Sequence, residues 1–226
     1  MKKKIIGVLG RPYKDLDNTK FIGINDSVRK SIIEKNCIPL LITPISIIDF
    51  DKENTKEEIT KIEKYFYIKI LNICDGLIIT GGSKWYNYDI FIVKEAIKKN
   101  IPILGICMGM QLLASLDSGE INLELNNSII NHNDKNKPYV HKVNIIENTL
   151  LSKIINKNTI NVNSRHNYHI KKSYNFIISA YSEDNLIEAI EMPNKKFVIG
   201  VEWHPEDMLS YDSYANKLYD YFISKL

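Results

Sequence analysis

The chain has 226 residues, 44% of them hydrophobic, enough to bury a substantial core. Its 30 basic residues against 27 acidic ones leave a net charge of only +3, and the lysines are scattered over polar faces, so there is no electrostatic footprint for nucleic acid or a membrane surface. The apolar part of MKKKIIGVLG stops at Gly10-Arg11-Pro12, too short for the core of a signal peptide, and no segment approaches a membrane span; a cytoplasmic protein with a small-molecule partner is expected, with a homodimer left open.

The elements open with a strand from Lys4 to Leu9 and a helix lined on one face by Ile24, Val28 and Ile32. A strand over Cys37 to Thr43 follows, then a capping-box pattern, Thr55 and Glu58, ahead of a helix whose apolar stripe is Ile59, Ile62, Phe66 and Ile70. Next come a strand from Gly76 to Thr80, a helix around Asp89 to Lys99, and the uninterrupted apolar run Ile101 to Ile106, which suits a central parallel strand. Alternating strands and helices imply a doubly wound α/β sheet. After about Gly119 the chain turns polar and asparagine-rich up to Pro138. Beyond it lie β-like runs at Tyr139 to Ile146, Thr159 to Val162, Asn175 to Tyr181, Leu186 to Glu191 and Lys196 to Glu202, which read as hairpins or edge strands. A last helix carries Tyr214, Leu218 and Tyr221. No repeat, flexible linker or domain boundary is evident, so residues 1–226 are expected to form a single domain.

Cys37, Cys74 and Cys107 are odd in number and lack CxxC spacing, which argues against disulfides and a zinc ribbon. Cys37 and Cys74 sit in apolar runs and read as small buried hydrophobes. Cys107 differs. It follows a buried strand within Gly105-Ile106-Cys107-Met108-Gly109 and precedes the helix-forming MQLLASL. Glycines two before and two after a nucleophile suit a strained strand-to-helix turn, where a β-carbon would clash with neighbouring elements. The helix N-terminus beyond it is expected to favour the thiolate, and the Met108 amide can meet a developing oxyanion. Gly81-Gly82, at the end of another strand, can bring a second N–H to the same place. Taken alone, GxCxG fits a buried cysteine between packing glycines equally well.

Near the other end, the β-like run Phe197 to Glu202 stops at His204-Pro205-Glu206. The proline biases His204 to extended geometry and ends the strand, leaving the Glu206 carboxylate free to fold back on the ring. This arrangement suits a cysteine–histidine–acid relay.

The segments Thr80 to Gly82 (TGG), Gly105 to Gln111 (GICMGMQ) and Gly200 to Glu206 (GVEWHPE), in that order, resemble the class I glutamine amidotransferases. The resemblance implies a flavodoxin-like fold with a mostly parallel central sheet flanked by helices and a smaller antiparallel edge sheet. It also implies Cys107, His204 and Glu206 as a catalytic triad, the amides of Gly82 and Met108 as the oxyanion hole, and Gln111 as a contact to a γ-glutamyl group. The segment Asn161 to His166 (NVNSRH), after a strand opened by His141, resembles the γ-glutamyl hydrolase branch, which includes γ-glutamyl-γ-aminobutyrate hydrolase. That branch cleaves γ-glutamyl amides without a synthase partner and implies a site role for His166, with Ser164 and Arg165 beside it.

Arg165 and Arg11 are two of only three arginines in the chain and could clamp a carboxylate or phosphate through their planar forks. The expected activity is hydrolysis of a γ-glutamyl amide with an amine leaving group such as γ-aminobutyrate, another polyamine-derived acid or a nucleotide phosphoramidate. The rivals are a glutaminase subunit feeding ammonia to a synthase and an inactive regulatory scaffold. His141, His166 and His169 have no HExxH spacing or cysteine pair, and neither a metal nor another cofactor is expected. The sequence departs from the branch in the short segment after Gly82 (SKWYNYD), in Met108, and in the compressed stretch after the nucleophile helix, all near the mouth of the site.

Overall fold

The computed structural model describes residues 3–50, 58–116, 120–122, 125 and 128–226. In chain order the elements are β1 (Ile5–Leu9), the hairpin β2 (Arg11–Lys14) and β3 (Lys20–Gly23), α1 (Asp26–Glu34), β4 (Ile38–Ile42), α2 (Lys61–Ile73), β5 (Gly76–Ile79), α3 (Asn87–Lys98), β6 (Ile103–Ile106) and α4 (Met108–Ser115). The second half adds β7 (Glu120–Asn122), β8 (Asn133–Asp134), β9 (His141–Ile145), α5 (Leu150–Ile155), β10 (Thr159–Val162), β11 (Ser164–Arg165), β12 (His169–Lys172), β13 (Ile177–Ser182), β14 (Ile187–Glu191), β15 (Val198–Val201) and α6 (Ser213–Ser224).

The main sheet runs β10-β9-β13-β14-β15-β6-β5-β1-β4. From β4 to β15 every neighbour is parallel, and from β15 outward the pairings are antiparallel. The antiparallel region expected at the edge therefore continues the central sheet. Side chains alternate across it: Ile78, Leu104, Ile106 and Val201 join one buried cluster with Val28, Ile32, Leu218 and Phe222, while Leu77, Ile79, Ile103 and Val198 join another with Tyr67, Leu71, Val93 and Leu113. Helices α1, α5 and α6 thus cover one face, and α2, α3 and α4 the other.

Two local expectations are revised. Helix α2 buries Tyr67 and Leu71, whereas Ile62 and Phe66 of the expected stripe are 69% and 48% exposed. The Tyr67 hydroxyl accepts the Ile45 amide at 3.0 Å, which gives an amphipathic ring a satisfied buried place that aliphatic periodicity cannot foresee. Helix α2 is capped by a box formed by Thr60 and Glu63, while Thr55 of the expected pattern lies outside the described residues.

Candidate active site

Four adjacent parallel strands deliver the expected residues to one sheet edge. Arg11 follows β1, Gly81 and Gly82 follow β5, Cys107 follows β6 and His204 follows β15. Ligands of open α/β sheets bind at this carboxyl edge because the loops there diverge around a crevice.

Cys107 has φ 52° and ψ −113°, and its N–H donates to the Val201 carbonyl at 2.7 Å. Among the described residues, every other non-glycine position with positive φ is an asparagine, whose short polar side chain tolerates the left-handed region. A cysteine there stores strain, and the flanking glycines make the turn fit. A β-carbon on Gly109 would lie 2.2 Å from the Ile79 carbonyl oxygen, and one on Gly105 would lie 2.9 Å from the Gly109 backbone.

The thiol is buried, and desolvation foremost pushes its pKa well above the ordinary range; the Glu202 and Glu206 carboxylates add to this, outweighing the Met108 N–H that favours the thiolate. The helix N-terminus favours the thiolate through the Met108 N–H, as expected, but burial outweighs it and the resting group is the thiol.

The His204 ring lies nearby. A methyl group at Gly81 would lie 3.6 Å from Cys107 Cβ, 3.8 Å from His204 Nε2 and 3.0 Å from His204 Cε1, so Gly81 leaves clear the space between thiol and imidazole. His204 Nδ1 is 2.8 Å from Glu206 Oε1, which selects the tautomer that carries its hydrogen on Nδ1 when the ring is neutral. The main chain of His204 is gripped by Asn163, which accepts its N–H at 2.8 Å and donates to its carbonyl at 2.9 Å. A cavity of about 310 Å³ opens here, lined by Arg11, Tyr13, Thr80, Gly81, His204 and Glu206. Arg11 pairs with buried Asp89 through Nη1 at 2.8 Å, while its Nε and Nη2 are buried without a hydrogen-bond partner among the described residues.

The remaining expected residues divide. Gly82 packs beside Arg11 and Met108. Gln111 is buried, its amide nitrogen donating to both Glu202 oxygens at 3.1 Å and to the Tyr168 carbonyl at 3.2 Å. Ser164 is buried and donates to the His132 carbonyl at 2.6 Å, a structural use of its hydroxyl. Arg165 is ion-paired with Asp207 and faces a different cleft, with Lys135, Lys137 and Tyr211. His166 is buried, its Nδ1 2.9 Å from the Tyr168 carbonyl, and it faces Glu188 away from the cavity lining. Burial acts to lower its pKa, but Glu188 and Glu202 outweigh that and hold it at about 9.

Sequence reasoning missed Glu202. Burial raises its pKa to about 8, against the opposing effect of His166. The available signal was an acid directly after the fully apolar run of β15. Between the ordinary carboxyl value of 4.5 and about 8, the unfolded chain ionises while the native chain keeps the proton. Native stability should therefore fall as pH rises through this window, by at most about 1.4 kcal/mol per pH unit, and level off above it. Thermal melts from pH 5 to 9 should show a shallower decline for Glu202→Gln; parallel curves for the two proteins would refute this.

The family model for peptidase C26 matches residues 83–206, more than half of the chain. The chain belongs to the peptidase C26 family. This C26 chain is 35% identical over 204 residues to the glutamine amidotransferase-like protein RP404 of Rickettsia prowazekii, covering 61% of the chain and 72% of that protein. It is 28% identical over 235 residues to CTP synthase of Sulfurisphaera tokodaii, covering 91% of the chain but only 42% of the relative's length. Its fold matches the glutaminase domain of Trypanosoma brucei CTPS, solved with bound acivicin, at a TM-score of 0.65 and 19% identity, covering 99% of this chain and 93% of that one. The likeness confirms a class I glutamine amidotransferase fold for this C26 chain. Among its described residues, no helix is long and apolar enough to cross a membrane.

Proposed function

We propose that this C26 chain hydrolyses a γ-glutamyl amide through a thioester on Cys107. The observation that carries the reading is the convergence of Cys107 and His204 across Gly81, with Glu206 behind the imidazole. As the sulfur attacks the γ-carbonyl carbon, its proton passes to His204 Nε2, and the negative charge on the carbonyl oxygen meets the amides of Met108 and Gly82. Collapse breaks the C–N bond, and His204 returns the proton to the departing amine. His204 then takes a proton from water, which attacks the thioester carbon; the C–S bond breaks, glutamate leaves and the thiol is restored.

Arg11 supports a substrate bearing a carboxylate near the scissile bond, because its two unpartnered guanidinium nitrogens form half of a fork beside the cavity. The ion pair of Arg165 with Asp207 weakens the case for a phosphoramidate leaving group clamped there. Arg11→Lys keeps the charge beside Asp89 but loses the fork. It should raise KM roughly 10-fold with little change in kcat, read from initial rates of glutamate release. An unchanged KM would remove Arg11 from substrate binding.

Similarity to CTP synthase and to a CTPS glutaminase domain favours a second reading, a glutaminase passing ammonia to a synthase partner. A panel of γ-glutamyl amines and free glutamine, scored for glutamate release, separates the two. Preference for an amine conjugate supports the first; turnover of glutamine alone, stimulated by a partner, supports the second. No release from any member would overturn both.

A further inference from the structure

Apart from the proposed catalytic residues, His132, His141, His166 and Glu188 bring one ligand atom each within 4.8 Å of one another, and all four residues are buried. Glu188 Oε1 lies 3.4 Å from His132 Nδ1, 3.6 Å from His141 Nε2 and 3.5 Å from His166 Nε2. Among the described residues, none of these three nitrogens, and neither Glu188 oxygen, has a hydrogen-bond partner of good geometry.

The outward ring atoms determine what the inward ones can be. His132 Nε2 faces both oxygens of Asp184 at 3.1 and 3.2 Å, His141 Nδ1 faces the Lys142 carbonyl at 3.2 Å, and His166 Nδ1 faces the Tyr168 carbonyl. Carbonyls and carboxylates only accept, so each outward nitrogen carries the hydrogen. In a neutral ring the inward nitrogen is then a bare lone pair. Three lone pairs and a carboxylate converge with no donor among them. One proton, on His166 for instance, satisfies a single pair and leaves the other nitrogens unpaired; protonating all three rings would bury three cations against one carboxylate. One divalent cation satisfies all four groups together.

The distances favour the ion. Charge-assisted N–H···O bonds are about 2.7–2.9 Å long. Zinc bonds of roughly 2.0–2.1 Å in a tetrahedron put neighbouring ligand atoms about 3.3 Å apart, close to the 3.4–3.6 Å between Glu188 Oε1 and each of the three histidine nitrogens, and all four ligand atoms lie within 4.8 Å of one another. The second shell fits too: each histidine is oriented by an acceptor on its far nitrogen, and Asp184 with Glu188 neutralises a +2 charge.

We infer that His132, His141, His166 and Glu188 form a closed structural site for zinc or a similar divalent transition metal. The ion ties the segment before β8, the start of β9 and the turn after β11 to β14. That turn follows Asn163, which grips the main chain of His204, so the metal is a positioning element for the proposed base.

The test uses protein expressed with added zinc and freed of any affinity tag, with metal measured by mass spectrometry. About one zinc per chain is expected in the wild type and in Cys107→Ser, and a small fraction of that in Glu188→Gln. Chelation should lower Tm by roughly 5 °C or more, zinc should restore it, and cobalt should give the intense visible bands of a tetrahedral site. Should Glu188→Gln fail to fold, the chelation and cobalt measurements on the wild type still decide. Metal below about a tenth of an equivalent with a Tm indifferent to zinc would mean that protons hold the cluster, and zinc that disappears with Cys107 would place it elsewhere. Either result overturns the inference.

Discussion

Cys107→Ala should lower kcat for γ-glutamyl amide hydrolysis by about 10⁴-fold or more while leaving Tm within a few degrees of the wild type. The fold should survive because alanine keeps the β-carbon that already sits at φ 52°, and only the sulfur is lost from the 7% exposed side chain. Chemistry should not survive, since the proposed acyl intermediate forms on the sulfur that alanine lacks. Glutamate release measured alongside thermal unfolding separates the two effects, and a rapid acid quench of the wild type with substrate should trap a glutamyl adduct on Cys107. Turnover retained by the alanine variant would sink the thioester mechanism.

Gly109→Ala should destabilise the protein by about 2–4 kcal/mol and reduce activity with it. Helix propensity argues the other way, because alanine inside a helix is worth about 1 kcal/mol over glycine. The new β-carbon, however, would stand 2.2 Å from the carbonyl oxygen of Ile79, a backbone atom of β5 that cannot swing aside. Either α4 lifts from the sheet or the Cys107 turn moves, and both displace the proposed nucleophile. Gly82→Ala offers the contrast, since its β-carbon would meet only the flexible ends of Arg11 and Met108 at 3.4 Å. Urea denaturation of both variants is the measurement, and a Gly109→Ala protein as stable as the wild type would refute the packing argument.

Legibility in the sequence followed locality. Four of the parallel strands, β1, β4, β5 and β6, were readable as continuous apolar runs, which stand out without knowledge of their neighbours; the run at Lys196 to Glu202, expected in a hairpin or at an edge, instead forms β15, parallel to β6 inside the sheet. The hairpin of β2 and β3 was not: Arg-Pro-Tyr-Lys and Lys-Phe-Ile-Gly carry no clean alternation, and they pair with each other apart from the main sheet. Helix α5 was missed because six residues give too little periodicity, although Thr149 and Ser152 form its capping box. Seven of the described asparagines occupy left-handed positions, including the C-cap of α5 at Asn156, a use that composition alone does not reveal.

The candidate site shows the same division. GICMGMQ and GVEWHPE announce their chemistry because the turn geometry of a nucleophile and the His-Pro-Glu spacing are written within a few consecutive residues. Sequence by itself therefore determined the parallel α/β core, the cysteine at the end of β6 and the histidine and acid beyond β15. Only the tertiary structure decided which charged groups meet. It put Arg11 in the cavity, turned Arg165 to Asp207, buried Glu202 beneath Gln111, and gathered three histidines with Glu188 where spacing had suggested no metal. The physical reason is that a lone pair, a proton or a guanidinium is satisfied by whatever faces it in space, and those partners lie on strands distant in the chain and adjacent in the sheet.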